Sequence, residues 1–399
     1  MIADRFLRSP AQNVPPLSQA VPALAAVLAL LFEIPRLLPI IVSKPEATDF
    51  RRFYAGALVG MRYGWPHIYD VDRLREVSLP LGPGVGADAF SLFNMNPPIV
   101  MWVLVPFTLL PLAAALTVWS VVNVASFIGA SRLVFPRGGF TWATVLLVSL
   151  AVWPSVFSLE RGQMEPIVYS LAVLSLWTAE RGQQRWAGIL LALATAFKPQ
   201  DVYLLPVVFV ICGKVRAAAW WALAGAVLLV LFAVVEGAEG MGTDIAVVWY
   251  SVNADPSFIA RPFIAPFGPD TSLLVGQALT ALLSLAAAWR QRGSLRIAFA
   301  IGIAGTLASG VHLHVYDYVG LVVAAWLVIS ESASLPEIGW IGLGVVCAQL
   351  AALLITWPIL VWQDVWILLL GLRHPATGQT IPSSQRASSD MRSGVHTGS

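Results

Sequence analysis

Asp49 stands just beyond an apolar run that extends from about Ala20 to Val42. A carboxylate there can act as a general base, taking the proton from a hydroxyl as its oxygen attacks, and that task needs neither metal nor nucleophilic partner. The ordinary alternative is structural, because Asp favours N-cap and first-turn positions, where it accepts backbone N–H bonds. The run His312-Leu313-His314-Val315-Tyr316-Asp317 collects ionisable groups at a single turn. Its imidazoles suit a phosphate, and Asp317 suits an imidazole whose tautomer must be held; interface packing and a weak metal-ligand set are the competing readings. Lys198, ahead of Pro199, is either a snorkelling cation or a point charge for a phosphate. Gln163 and Glu165, beside Arg161, suit sugar hydroxyls and a solvated loop equally. Asp70 follows Tyr69 after a Gly-Trp-Pro turn and reads as turn chemistry.

The elements that must position these groups are read from composition. Of the 399 residues, 58% are apolar and 12% charged, and the mean hydropathy is +0.76. A soluble domain carries about 25% charged residues, so water is not the solvent for most of this surface. The sixteen Trp fit a bilayer interface. A net charge of +2 without a long basic tract gives no sign of nucleic-acid binding. Cys212 and Cys347 lie far apart inside apolar runs and read as small buried hydrophobes, not as a disulfide or metal site.

Apolar runs predict an all-α, polytopic transmembrane bundle of about 12 spans: 20–42, 113–134, 140–157, 166–179, 186–197, 201–213, 216–235, 272–289, 295–311, 315–330, 337–357 and 359–372. Pro97–Leu112 is read as dipping into the membrane, because counting it as a span would reverse every later loop. On that reading 14 of the 24 Lys and Arg fall on one side, which the positive-inside rule makes cytoplasmic. Residues 1–19 and a disordered tail, 373–399, are then cytoplasmic, flanking a transmembrane domain over 20–372. The sizeable loops 43–96 and 236–271, together with the turns at 159–165, 198–201 and 312–317, face the periplasmic or extracellular side of the cell membrane. Within the first loop, Phe50, Phe53, Tyr54, Ala57, Leu58 and Met61 form one helical stripe. That pattern predicts a helix lying on the membrane with its apolar face down and Arg51, Arg52 and Arg62 among the head groups.

In order along the chain come Asp49-Phe50-Arg51-Arg52-Phe53-Tyr54, Gly64 with Tyr69-Asp70, Asn96-Pro97-Pro98, Leu109-Leu110-Pro111 with Trp119, Gly162-Gln163, Lys198-Pro199 and the 312–318 run. This set resembles glycosyltransferase family 87, of the GT-C class, over about residues 20–330. The family commonly has an Asn two residues after its Gly-Gln, where this chain has Glu165. The resemblance implies a membrane glycosyltransferase that moves a sugar, mannose by preference, from a polyprenyl-phosphate donor to a lipid or glycan acceptor, with inversion. It implies Asp49 as the general base. His312, His314, Lys198, Arg51, Arg52, Gln163, Tyr54 and Asp317 are then the candidate contacts to the donor phosphate or sugar, with no metal and no cofactor. A transporter or flippase of lipid-linked sugars is the alternative, which midspan charge would favour. Glu33 and Arg36 are the near exceptions to its absence here. A non-catalytic membrane subunit is the third possibility.

Overall fold

Backbone amides removed from water must find partners within their own segment, and long apolar runs do so by coiling into helices. The structure is a computed structural model that describes residues 17–43, 48–82, 95–254, 271–310, 313–331 and 333–373. Among these residues every regular element is helical and no strand occurs. The chain opens with α1 (Leu17–Ser43), α2 (Phe50–Tyr63) and α3 (Val71–Ser78). Next come α4 (Pro98–Leu104), α5 (Leu112–Val134), α6 (Gly139–Ala151) and α7 (Trp153–Arg161). The middle of the chain is α8 (Glu165–Glu180), α9 (Gln184–Phe197), α10 (Leu205–Ile211) and α11 (Val215–Ala254). It closes with α12 (Thr271–Arg290), α13 (Leu295–Ala308), α14 (Val319–Ser330), α15 (Leu335–Leu350) and α16 (Trp357–Leu372).

By length and apolarity, four helical stretches are able to cross a membrane: Gln19–Val42, Leu112–Val134, Val215–Val247 and Leu335–Leu353. A fifth forms if α6 and α7, bent by 56°, are one span. The bend sits where Val152 is extended and Pro154 opens α7, a position at which proline's missing N–H costs nothing. The freed Trp153 N–H donates to Gln349 Oε1 at 2.6 Å. Several of the expected spans are shorter helices, so the count of about twelve goes beyond what these lengths establish. After Pro97 the chain makes seven α-helical and five 3₁₀ residues. Their reach of about 20 Å falls short of the ~30 Å hydrocarbon layer.

Two expectations are corrected. The stripe on α2 is real, but it is covered by protein: Phe50, Phe53, Tyr54 and Ala57 all belong to the main buried core. Lipid does not cover that face, because α4 and the 3₁₀ turn after it, Val105–Leu109, pack there. The second outer loop, in turn, begins as helix. Gly237 adopts φ +68 inside α11, breaks the helix axis and lets it run on to Ala254. Beyond the break, α11 lies against the Trp65–His67 turn, so closely that a Cβ on Gly240 would stand 3.0 Å from the Pro66 backbone. Residues 255–270, with Pro256 and Ser257, and the expected disordered tail from His374 lie outside the described residues.

Candidate functional site

Asp49 immediately precedes α2, and its side chain makes no capping hydrogen bond to that helix. Asp70 provides the contrast: its carboxylate accepts from the amides of Asp72 and Arg73 at 2.9 and 3.1 Å and caps α3, as turn chemistry requires. Asp49 Oδ2 instead accepts from Gln163 Nε2 at 2.9 Å, and Oδ1 faces the Arg52 guanidinium at 3.6 Å. The Asp49 and Arg52 side chains keep 18% and 30% of their surface open, so a substrate can still reach the pair.

Gln163 is held by its neighbours. The chain leaves α7 through Gly162 in the left-handed region, φ +66, where a Cβ would stand 2.6 Å from Phe50 Cβ. The carbonyls of Gly162 and Gln163 accept from the buried Trp119 indole at 3.0 and 3.3 Å. Trp119 packs in turn on Phe50 and Phe107, with ring centroids 6.0 and 5.8 Å away. The aromatic at the start of α2 thus packs against the elements that carry both Asp49 and its amide partner.

A buried ionic cluster joins Glu165, just after this turn, to the other two turns. The Lys198 ammonium donates to Glu165 Oε1 and to Asp317 Oδ1. Ser158 Oγ donates to Glu165 Oε2 at 2.7 Å, and the His314 amide donates to Asp317 Oδ2. Glu165, Asp201 and Asp317 bring one carboxylate oxygen each within 4.8 Å of one another, the spacing of a cation cradle, and the cation in it is Lys198. In the turn between α9 and α10, burial, with the charges of Asp317 and Glu165 beside it, pushes the Asp201 carboxyl well above the ordinary aspartate range despite Lys198.

Tyr316 joins the two halves. Lys198 Nζ lies 4.6 Å from its ring centroid, and the His314 and Phe157 rings lie against it at 4.9 and 5.9 Å. The Asp49 carboxylate lies near enough to the Tyr316 hydroxyl to act on it electrostatically, as Lys198, Asp317 and Glu165 do. Gly320 makes the close packing possible, since a Cβ there would overlap the Tyr169 ring, whose hydroxyl donates to the Asp317 carbonyl at 3.2 Å.

The predicted residues therefore divide. Asp49, Gln163 and Arg52 meet directly, and half-buried His314 stands beside Tyr316. Lys198 is 4% exposed and turned inward onto two carboxylates, so it does not snorkel to the surface. Asp317 is buried and spends its oxygens on Lys198 and the His314 backbone amide, while its own backbone N–H donates to the His314 side chain, a reciprocal cap that orients the turn. Arg51 is buried as well, donating to the carbonyls of Ser78 and Gly82 at 2.5 and 2.7 Å instead of meeting head groups. Tyr54 donates to the Leu110 carbonyl at 2.8 Å and pins α2 to the segment after α4. His312 lies outside the described residues. Glu33 and Arg36 pair with each other, and Arg36 also binds Glu160 at 2.9 Å, so neither is a lone charge in a span. Sequence reasoning missed Asp201 and Tyr316 as site residues. The faint signal was a carboxylate three residues after a lysine in Lys198-Pro199-Gln200-Asp201.

A family model described as Glycosyltransferase family 87 matches residues 94–314, more than half of the chain. The matched stretch contains Gly162-Gln163, Lys198-Pro199 and Asp201; Asp49 precedes it. No curated protein and no solved structure matches the chain.

Proposed function

The chain belongs to glycosyltransferase family 87, and from that premise we propose that it transfers mannose from a polyprenyl-phosphate donor to a hydroxyl of a lipid or glycan acceptor, with Asp49 as general base. Membership makes it a membrane glycosyltransferase; donor, sugar, acceptor and base are our reading. The observation that carries it is the Asp49 carboxylate, free of its own helix's amides, held by Gln163 and partly open. In the reaction Asp49 takes the acceptor proton while the acceptor oxygen bonds to the anomeric carbon. The bond from that carbon to the phosphate oxygen breaks on the opposite face, its electron pair stays with polyprenyl phosphate, and configuration inverts. The leaving phosphate needs charge stabilisation more than protonation. Arg52, 3.6 Å from Asp49, and His314 beside Tyr316 are the groups placed to provide it.

The buried charges support a transferase over a transporter. Glu165, Lys198, Asp201 and Asp317 sit at turns and helix ends on one side of the bundle, whereas transport sites gather such groups near the bilayer midplane. We place this side on the periplasmic or extracellular face. The test is release of polyprenyl phosphate from polyprenyl-phosphate mannose by the purified protein. Asp49→Asn should lower that release by about 10²–10⁴-fold, the usual share of a general base, while circular dichroism stays unchanged. A rate preserved in Asp49→Asn would remove Asp49 as base, and donor translocation across vesicles without release would replace the transferase reading by the flippase.

A further inference from the structure

At the end of the bundle away from the candidate site, Gly182-Gln183-Gln184-Arg185-Trp186, between α8 and α9, faces Arg216 and Trp220 on the first turns of α11 across a cleft of about 440 Å³. Two elements remote in sequence build it, and Gly188 is what lets them meet. A Cβ on Gly188 would stand 2.3 Å from the Ala217 carbonyl and 2.5 Å from Trp220 Cβ. The Arg185 guanidinium sits between two indoles, 5.8 Å from Trp186 and 5.1 Å from Trp220. Other arginines of this end are already engaged: Arg296 and Arg373 pair with Glu180 and Glu337, and Arg132, Arg181 and Arg292 each stack on a single indole. No carboxylate among the described residues pairs with Arg185 or Arg216. The Gln184 Oε1 has no donor among the described residues, which suits a ligand hydroxyl.

The cleft opens onto a particular stripe. Arg216, Trp220, Leu223, Val227, Val230 and Val234 recur at spacings of four and three, so they share one face of α11. The last four are 53%, 60%, 63% and 75% exposed. From Leu223 to Val234 this apolar track runs about 16 Å, close to half the ~30 Å hydrocarbon thickness. Two cations without a carboxylate partner among the described residues, interfacial indoles and a one-leaflet apolar track form a single continuous surface.

We propose that this cleft and stripe bind one anionic glycerophospholipid, its phosphate between Arg185 and Arg216, a head-group hydroxyl on Gln184 and an acyl chain along Leu223–Val234. Guanidinium suits phosphate by its planar donor fork, and basic pockets between membrane helices favour anionic head groups. The site requires nothing of the transfer reaction.

The test is native mass spectrometry of the full chain in detergent, titrated with phosphatidylglycerol and with phosphatidylcholine of matched chains. Phosphatidylglycerol should be retained about tenfold or more in preference, in line with two guanidinium contacts. The double variant Arg185→Gln/Arg216→Gln should abolish that preference, and Arg132→Gln/Arg292→Gln, which removes equal charge from elsewhere at this end, should keep it. Inorganic phosphate at millimolar concentration should leave the lipid bound. Preference surviving in Arg185→Gln/Arg216→Gln, equal loss in Arg132→Gln/Arg292→Gln, or displacement by inorganic phosphate would each overturn the proposal: the first removes the site, the second makes the attraction diffuse, and the third makes the ligand a soluble phosphate.

Discussion

Glu165 and Asp317 each satisfy both carboxylate oxygens inside the protein, whereas Asp201, equally buried, finds a donor for neither among the described residues. An ionised carboxylate without donors, removed from water and beside two others, carries a desolvation cost of several kcal/mol. A bound proton relieves it, and Asp317 is the acceptor at hand. With a proton on Asp201, Lys198 is the cation that bridges Glu165 and Asp317, and two substitutions separate the roles. Lys198→Met leaves buried charge uncompensated and should cost about 3–5 kcal/mol, visible as a lowered unfolding midpoint in detergent. Asp201→Asn keeps the shape of the neutral acid and should stay within about 1 kcal/mol of the parent. The pH dependence follows in sign. A carboxyl whose folded pKa is raised contributes fully below the unfolded aspartate value of about 4 and loses that contribution as pH climbs toward the folded value. The parent should therefore lose stability on the alkaline side more steeply than Asp201→Asn. Equal slopes would mean that Asp201 is ionised throughout.

At the scale of elements, the site depends on how closely α2 approaches the end of α7, and Gly162 sets that distance. Gly162→Ala would force a side chain into the left-handed region, at about 1–2 kcal/mol, and drive its Cβ into Phe50 and Leu116, 2.6 and 2.8 Å away. The expected outcome is a lower unfolding midpoint and a transfer rate no better than that of Gln163→Ala, since both separate Gln163 from Asp49; unfolding curves and polyprenyl phosphate release measure the two. A Gly162→Ala protein with parental activity would show that this contact does not position the base. The same approach marks the limit of what the sequence disclosed. The apolar stripe of α2 was legible because a helix repeats its face every 3.6 residues. Its cover was not, because lipid and protein present the same apolar demand to Phe50, Phe53 and Tyr54. Asp49 and Gln163 were legible as separate polar groups at chain turns. Their contact spans 114 residues and depends on a glycine conformation that no local pattern announces. Lys198 misled for a related reason: a cation beside an apolar helix snorkels unless carboxylates meet it inside, and those arrive from Glu165 and Asp317, 33 and 119 residues away.

For the whole molecule, the turns place Asp49, Gln163, Lys198 and Asp317 at one end and the Arg185 cleft at the other, and charge then proposes which end faces the cytoplasm. With 14 of the 24 Lys and Arg assigned by sequence to the side of the Arg185 cleft, the positive-inside rule predicts that end inward and Asp49 outward. The six cations of loop 43–96 look like an exception, but their observed partners weaken it. Arg51 is buried on carbonyls, Arg52 faces Asp49, and Arg73 and Arg75 pair with Glu76 and Asp72. Cations neutralised locally leave less charge to hold the loop back. Single cysteines decide the matter in a background with Cys212 and Cys347 replaced by Ala. Arg137→Cys, exposed at the turn between α5 and α6, should react with a membrane-impermeant maleimide only from the cytoplasmic side of oriented vesicles. Asp72→Cys, whose parent side chain is 88% exposed beside the site, should react only from the other. Labelling of both from one side would place the Arg185 cleft and Asp49 in the same compartment and make an odd number of crossings between residues 72 and 137 impossible.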